Sequence, residues 1–529
     1  MLAAYAAILA TAAGVPTTVV RVGGPSAPKD PKVAVVASQH PLAGKRFRLI
    51  DADGGTALRG RLEKTAGDPG PWQFAATATF SSVKAPGRYR LRVGRVTSRP
   101  WAVSAASQIP RLLRVYAVNA DGNEPNPVFG PAHLKDATVE GGAHDGEHVD
   151  LTGGWRDAGD QLKFTITTAE SVSYLHLAAR LAPGQADRLE QTAAVGVRWL
   201  KKAHPSPDLF IALVGDERDH DTGFRDPAGD DQNTQPGVGV RYAYPTDSSS
   251  ILGEGAAALA LAGEVALAKQ WYERAVKANA LSHPTGPHLS DFYPESYFHD
   301  DLAFAATELY RATGQQSYLD DAAAQLRAGD ENELYGGIVV GAPRALAAAD
   351  LCGGLGKPAV PDAELKQLAC GDVAKTMDAI RSRAAERAFG SPGIYTFGFI
   401  QDNDAAGALA AAAQRAGVAA DGRRIAAAAR DYLRGRNQWG RSFVVGPKAY
   451  EAHHPHHSAY LKGSPARLLD GAVVGGPARA SDVTGAGLPA ARSRFNGAGV
   501  VYEDKRADYV TSEVGLAYAA PAVLLAASL

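Results

Sequence analysis

The chain of 529 residues is longer than one ordinary core and fits a large domain with a smaller one beside it. With 45% hydrophobic and 21% charged residues it can bury a sizeable core, which excludes a disordered chain. A formal net charge of -1 leaves no field to gather nucleic acid or an anionic membrane surface, so a neutral partner is expected.

Residues 1–14 are apolar and alanine-rich, and their Ala-Thr-Ala-Ala-Gly end resembles a signal-peptide cleavage region without the usual basic residues ahead of it. They read either as an atypical or trimmed export signal or as a plain N-terminal segment. A secreted or extracellular location is the expectation, with a cytoplasmic one as the alternative. No later run is apolar for the ~18 residues a membrane span needs, so no membrane partner is expected.

Residues 15–105 alternate short β runs with turn residues. The runs are Lys32–Ala37, Arg46–Ile50, Gln73–Phe80, Gly87–Val93 and Pro100–Val103. The turns Asp53-Gly54-Gly55, Asp68-Pro69-Gly70-Pro71 and Ala85-Pro86-Gly87 fall where sandwich corners would. This spacing predicts a small β-sandwich.

From 106 to 529 the pattern is helical. Helices are predicted near Thr165–Leu181, Ala186–Ala203, Ser248–Ala262, Val265–Leu281, Asp300–Thr313, Ser317–Ala328, Pro343–Leu351, Ala363–Arg387, Ala405–Ala416, Gly422–Arg434 and Tyr509–Ala526. Their Ala- and Leu-rich interiors permit close helix packing and suggest a toroid of helical hairpins. The segments Pro205–Thr246 and Gly435–Asp508 read as long loops, the usual place for function. Cys352 and Cys370 are too few for a disulfide scaffold and form no CxxC pair; they are one bridge or, by default, two buried small hydrophobes.

Three segments carry chemistry. In Gly153-Gly154-Trp155-Arg156-Asp157-Ala158-Gly159-Asp160, two aspartates three apart on a glycine-containing turn can hold one water between them, beside an indole that offers a flat wall to a sugar ring. Near the other end, Glu513 is predicted in the first turn of the last helix, where a solvated capping carboxylate is the plain alternative. Between them, His453-His454-Pro455-His456-His457 clusters histidines, but Pro455 breaks the helical spacing a metal pair needs. Hydrogen bonding to sugar hydroxyls suits these imidazoles better.

The segments Gly153–Phe164, Asp300–Gly314, Gly435–Gly446 with Pro455-His456-His457, and Tyr502–Ala520 together resemble, in the right order, the inverting glycoside hydrolases of family 9. The resemblance covers nearly the whole chain. It implies an Ig-like β-sandwich followed by an all-α (α/α)6 barrel, with Asp160 as general base, Asp157 as its partner in holding the nucleophilic water, and Glu513 as general acid. It aligns His456 with the family's active-site histidine, and His457 joins it as a candidate for substrate binding. Trp155, Tyr509 and Tyr395 are the leading aromatic candidates for stacking, with Phe397 and Trp439 behind them. No cofactor is required for the chemistry; Ser296, Asp300 and Asp301 resemble a calcium site of some relatives, and the absence of cysteine from Tyr116 to Asp150 predicts no zinc site.

The sequence departs from the family pattern at Ser458, where Arg is usual, at Ala519, where Asn is usual, and at Gly515, where Ser, Thr or Ala is usual. Loss of a guanidinium removes a multidentate hydroxyl clamp. The expected partner is a β-linked oligo- or polysaccharide, cut in the endoglucanase manner at β-1,4 bonds. The alternatives are an exo-acting β-glucosidase or exo-β-glucosaminidase on the same scaffold and, from another class, a catalytically inactive saccharide-binding protein.

Overall fold

A computed structural model describes residues 14–286, 288–289, 292–329, 343–497 and 499–529. The predicted signal segment at 1–14 lies, but for Gly14, outside the described residues.

Nine strands build the N-terminal part: β1 Thr18–Arg21, β2 Val33–Ser38, β3 Arg46–Ile50, β4 Thr56–Arg61, β5 Glu63–Lys64, β6 Phe74–Thr79, β7 Gly87–Val93, β8 Val96–Thr97 and β9 Trp101–Val103. They form two antiparallel sheets, β1-β2-β6-β5 and β4-β3-β7-β8, with β9 also on β7. Alternation drives the pairing: Phe47 and Leu49 on β3, and Tyr89, Leu91 and Val93 on β7, face inward, while Arg46, Arg48, Arg88 and Arg90 face water. Val36, Ala76, Ala78 and Trp101 complete a core separate from that of the helices. The strand β4 escaped the sequence reading because it shows no buried face, and its Gly60 is required where a Cβ would come within 2.5 Å of the Phe47 ring.

The helices form two layers. Thr165–Leu181, Ser249–Leu261, His299–Thr313, Arg344–Leu351, Phe399–Arg415 and Leu516–Ser528 each pack on the next, and the last packs on the first, closing an inner ring of six. Ala186–Lys202, Val265–Ala278, Gln316–Ala328, Ala363–Ala385 and Gly422–Leu433 pack outside them. The short helices Ile109–Leu112 and Arg114–Asn119 cover Leu516–Ser528 in the same way. This is the (α/α)6 arrangement. Inner helices are buried on nearly every side, which small residues allow; Ser249–Leu261 buries three consecutive alanines, Ala256 to Ala258. Among the described residues no helix is long and apolar enough to cross a membrane.

Three expectations change. Cys352 and Cys370 are not two buried thiols but one disulfide, tying the inner Arg344–Leu351 helix to the outer Ala363–Ala385 helix across 18 residues. Closing a loop of that length stabilises by on the order of 3 kcal/mol. The segment Pro205–Thr246 is no structureless loop, since it supplies β12 Ile211–Val214, β13 Tyr242–Pro245 and the helix Glu217–Asp221. With β10 Thr138–Val139 and β11 Lys163–Phe164 those strands make a four-stranded sheet, in the order β10-β13-β12-β11, beside the barrel. Finally, the helix predicted over Tyr509–Ala526 is broken. Tyr509–Ser512 and Leu516–Ser528 are helical, while Glu513 and Gly515 are extended, because Glu513 bridges to His456 and Val514 to Val474.

The sandwich is joined to the barrel by buried ions and by backbone. Asp30 pairs with Arg430, and the Arg99 guanidinium donates to Val22 O, Gly23 O and Arg434 O. Asp68 N donates to Glu386 O at 2.7 Å and Ala388 N returns to Asp68 O at 3.0 Å. Gly67, at φ +85°, makes this approach possible, since a Cβ there would lie 2.4 Å from Arg387 N.

Candidate active site

The turn between Gly153 and Leu162 is shaped by residues that leave no room for variation. Gly154, at φ +75°, passes so close to Trp199 that a Cβ would meet its Cγ at 2.5 Å, and a Cβ on Gly159 would lie 2.6 Å from His457 Cα. Asn119 holds the turn from below, its amide donating to Arg156 O at 2.9 Å and Ala158 O at 3.0 Å. Its Oδ1 accepts from His457 Nε2 at 3.0 Å, and His457 Nδ1 accepts from Ala459 N at 3.0 Å. Both ring nitrogens are therefore used inside the protein, and burial pushes this imidazole down to about 3, so it is neutral. His457, expected at the substrate, is instead a fully buried strut.

Asp157 and Asp160 project from this turn. Asp157 N donates to Leu162 O at 2.8 Å and its carbonyl accepts from Leu516 N at 2.9 Å, so the turn and the start of the last helix are fixed together. Tyr293 donates its hydroxyl to Asp157 Oδ2 at 2.5 Å. Burial, reinforced by the charge of Asp160, raises the Asp157 carboxyl to about 7. Asp160 accepts from Leu162 N at 3.2 Å. Burial raises its carboxyl too, with His220 opposing, Asp219 adding, and Leu162 N–H and Arg156 opposing.

Glu513 reaches the same place from the far end of the chain. The extended break between the last two helices places it there, held by Gly475 N donating to Glu513 O at 2.9 Å and His456 N donating to Ser512 O at 2.8 Å. Tyr518 donates to Glu513 Oε2 at 3.1 Å. Burial first, then the charges of Asp160 and Asp157, push this carboxyl up to about 8. The three carboxylates thus sense one another: Asp160 raises Asp157, and both raise Glu513.

His456 borders it. Its Nδ1–H donates to Arg506 O at 2.7 Å, which leaves Nε2 as an acceptor. Its ring packs 4.5 Å from Phe224 and 5.8 Å from Tyr509. Phe397, 44% exposed, lies 6.2 Å from Tyr509, so these two present the accessible aromatic surface.

The other aromatic expectations are corrected. Trp155 is 1% exposed, sits 5.0 Å from Tyr116 and is crossed by Gly196, where a Cβ would lie 2.4 Å from the indole. Tyr395 has one face stacked on Phe399 at 4.6 Å and Arg387 over its ring at 4.2 Å. Trp439 is buried with its Nε1 bonded to Asn496 at 2.8 Å. None offers a free face to a sugar. Among the departures, Gly515 at φ -151° would accept a Cβ in ordinary contact, so nothing local demands glycine there.

For metals, Ser296 is exposed whereas Asp300 and Asp301 are buried at the first turn of the His299–Thr313 helix. Among the described residues, the His, Cys, Asp and Glu side chains that gather at metal-ligand spacing are Asp121, His133 and Asp136, with ligand atoms within 4.8 Å of one another. A search for cysteine passes over this group. An ion does not fit the set as it stands, because the Lys163 ammonium occupies it, 2.6 Å from Asp136 and 3.2 Å from Asp121. The sequence reading also missed Tyr293 and His220, which come from segments without a recognisable pattern. Tyr518 lay within the last matched segment and its distance from Glu513 is the signal that could have found it.

Endoglucanase 15 of Arabidopsis thaliana is 31% identical over 208 residues, 36% of this chain and 42% of that protein. Endoglucanase B of Cellulomonas fimi is 33% identical over 218 residues, 37% of this chain and 20% of that protein. The chain thus spans less than half of the length of these curated relatives. Among solved structures, a metagenome-derived glycoside hydrolase family 9 endoglucanase superposes with a TM-score of 0.78 at 24% identity, covering 96% of this chain and 98% of that one. A thermostable endoglucanase from Alicyclobacillus acidocaldarius, a single mutant, gives 0.80 at 22% identity over 97% and 99%. A Zn-binding triple mutant of another family 9 endoglucanase gives 0.75 at 21% identity over 95% and 99%. At such identities these likenesses establish the fold. The model for the cellulase N-terminal Ig-like domain matches residues 27–98, and that for glycosyl hydrolase family 9 matches residues 109–526, most of the chain. The chain belongs to glycosyl hydrolase family 9.

Proposed function

We propose that the protein is an inverting hydrolase of β-1,4-linked glucan, acting within the chain as an endoglucanase. The observation that carries the reading is that the Asp157–Asp160 turn is tied to the Glu513 segment by Leu516 N donating to Asp157 O at 2.9 Å, and that burial with the charges of Asp160 and Asp157 pushes Glu513 up to about 8. Inversion needs one carboxylate to take a proton from water and one carboxylic acid to protonate the leaving oxygen from the other side, about 6.5–9.5 Å apart.

The surroundings divide these roles. Asp160 has His220, Arg156 and the Leu162 N–H favouring its charged form, whereas Glu513 has one hydroxyl, that of Tyr518. Asp160 is therefore the base and Glu513 the acid. Asp157, oriented by Tyr293, shares the water with Asp160. The water oxygen attacks the anomeric carbon, its proton passes to Asp160, and the Glu513 proton passes to the glycosidic oxygen as that bond breaks. His456 Nε2 accepts from a sugar hydroxyl, and Phe397 and Tyr509 receive ring faces. The relatives' names supply the glucan class. The Cys352–Cys370 bridge supports an extracellular protein, since disulfides persist in oxidising compartments.

Glu513→Gln is expected to lower kcat on β-1,4-glucan by about 10²–10⁴-fold, the range for a lost general acid. Time-resolved NMR of the wild type should show the α-anomer first. Unchanged turnover in the variant, or a β-anomer first, would reject the reading. One observation favours an exo-acting second reading: Phe224 packs on His456 and on Tyr460, while Lys462 pairs with Asp226, walling the site on one side. Single-residue release from cello- or chitosan oligosaccharides would select it.

A further inference from the structure

Eight charged side chains that the mechanism above does not use close into one circuit beneath the Asp157–Asp160 turn. His133 Nδ1 lies 2.8 Å from Asp121, and Asp121 lies 3.2 Å from the Lys163 ammonium. Lys163 lies 2.6 Å from Asp136, which is 2.7 Å from Arg241. Arg241 lies 2.8 Å from Asp219, and Asp219 is 2.5 Å from Arg225. Arg225 lies 2.8 Å from Asp230, which returns to His133 Nε2 at 3.1 Å. All but Arg225, at 16%, have side chains no more than 5% exposed.

The signs alternate around the circuit. Both nitrogens of His133 face carboxylates, as in an imidazolium. Burial and Arg241 push this ring down, but Asp121 and Asp230 outweigh them and the net shift is upward. A buried set of ions costs much to desolvate and is strongly destabilised when one member is removed, so its retention asks for a reason beyond stability.

That reason lies in what the circuit touches. Lys163 Nζ donates to Leu151 O at 2.8 Å and to Gly153 O at 3.3 Å, at the entry to the turn. Asp121 N donates to Gly154 O at 3.0 Å. Arg241 donates to Gln161 O at the exit. The circuit therefore grips both ends of the segment carrying Asp157 and Asp160. Asp219, a member of the circuit, and His220 act electrostatically on Asp160 and share one short helix, Glu217–Asp221.

We propose that this ion circuit is the positioning device of the Asp157/Asp160 turn, with the Lys163 ammonium standing where a metal ion would sit among Asp121, His133 and Asp136. Lys163 and Arg241 are its positioning residues. The inference rests on the carboxylate roles proposed above, and a loosened turn would act through them. Rigid support behind reacting groups typically governs rate by about 10–100-fold when removed.

The test compares Lys163→Met with Arg225→Gln in the full chain. The first frees the turn at its entry; the second opens the circuit between Asp219 and Asp230, to which the Arg225 guanidinium is bonded. Lys163→Met is expected to lower kcat by about 10–100-fold with KM little changed. It should also move the basic limb of the pH–rate profile down, because displaced aspartates no longer raise Glu513. Hydrogen exchange of residues 153–162 should quicken while the Phe399–Arg415 helix keeps its protection. Arg225→Gln should show the same signs at about a third of the size or less, and should Lys163→Met not fold, Asp136→Asn replaces it with the same ordering expected. Wild-type enzyme dialysed against a chelator should keep full activity with no stoichiometric zinc. The proposal is overturned if the folded Lys163→Met chain keeps its kcat, pH limb and exchange pattern, if both variants respond equally, or if one zinc per chain is found. Because hydrogen exchange needs no substrate, it tests the circuit even if Glu513→Gln shows the catalytic reading to be wrong.

Discussion

The two sides of the pocket are built in opposite ways. Asp157 and Asp160 sit on a turn fixed by glycines in forced contacts, by Asn119, and by a circuit of buried ions just beneath it. Glu513 stands on a short extended break between two helices, with the Tyr518 hydroxyl as its hydrogen-bond partner. The same functional group is thereby given different proton affinities. At Asp160 the upward pull of burial and Asp219 is opposed by His220, the Leu162 N–H and Arg156, whereas at Glu513 burial and two like charges push together, up to about 8. The proposed acid and the proposed base are thus distinguished by what surrounds them.

The sharpest way to expose this difference is through stability. Glu513 has a folded-state value of about 8, above its unfolded one, so the folded state holds its proton more tightly. That contribution is fully present below the unfolded value and is lost as pH rises through the folded one. Glu513→Gln, which cannot ionise, should therefore equal the wild type in stability near pH 4 and exceed it by on the order of 2–4 kcal/mol above pH 8. Denaturant midpoints across that window would show it. A constant difference at all pH values would mean that the pocket does not raise Glu513 at all.

A smaller effect separates the Tyr518 hydroxyl from mere packing. Its hydrogen bond to Glu513 lowers that carboxyl against the larger pull of burial. Tyr518→Phe should consequently move the basic limb of the pH–rate profile upward by up to about one unit, with a modest loss of kcat. A limb that moves downward would show that the hydroxyl favours the protonated acid, and the division of roles between the two sides would need another cause.

How much of this was legible beforehand follows from range of interaction. The helices of the barrel carry their periodicity locally, and Thr165–Leu181 is found within the bounds its pattern predicts. The break at Glu513 was not legible, because Val510, Val514, Leu516 and Ala517 continue an apolar pattern through it and the bridges to His456 and Val474 are distant in sequence. The inner helix Phe399–Arg415 begins earlier than its pattern suggests, since Asp402, Asn403 and Asp404 look like loop residues yet are buried in it. Aromatic residues misled for a related reason: Trp155 neighbours Asp157 in sequence, but consecutive residues on a turn point to different sides, and the indole went to the core. The carboxylates were recognisable from their motifs, while the ions that hold them come from separate segments and carry no motif.

Ser458 offers the finest test of the contrast between a site built from backbone and one built from side chains. It stands where a guanidinium is usual in the family, and a direct substitute would have to offer its hydroxyl to the sugar. Yet the side chain is fully buried and its hydroxyl finds no hydrogen-bond partner among the described residues, whereas its backbone N–H donates to Gly159 O at 3.1 Å. The residue therefore serves the Asp157–Asp160 turn through its main chain, and its hydroxyl is a small liability, since an unsatisfied buried donor costs about 1–3 kcal/mol. Ser458→Ala should leave kcat/KM within about 2-fold of wild type while raising stability by about 1 kcal/mol or less, after the lost packing is counted. A marked rise in KM with kcat unchanged would show that the hydroxyl turns toward bound sugar, and would move substrate recognition on this side of the pocket from His456 and the aromatic rings to the serine itself.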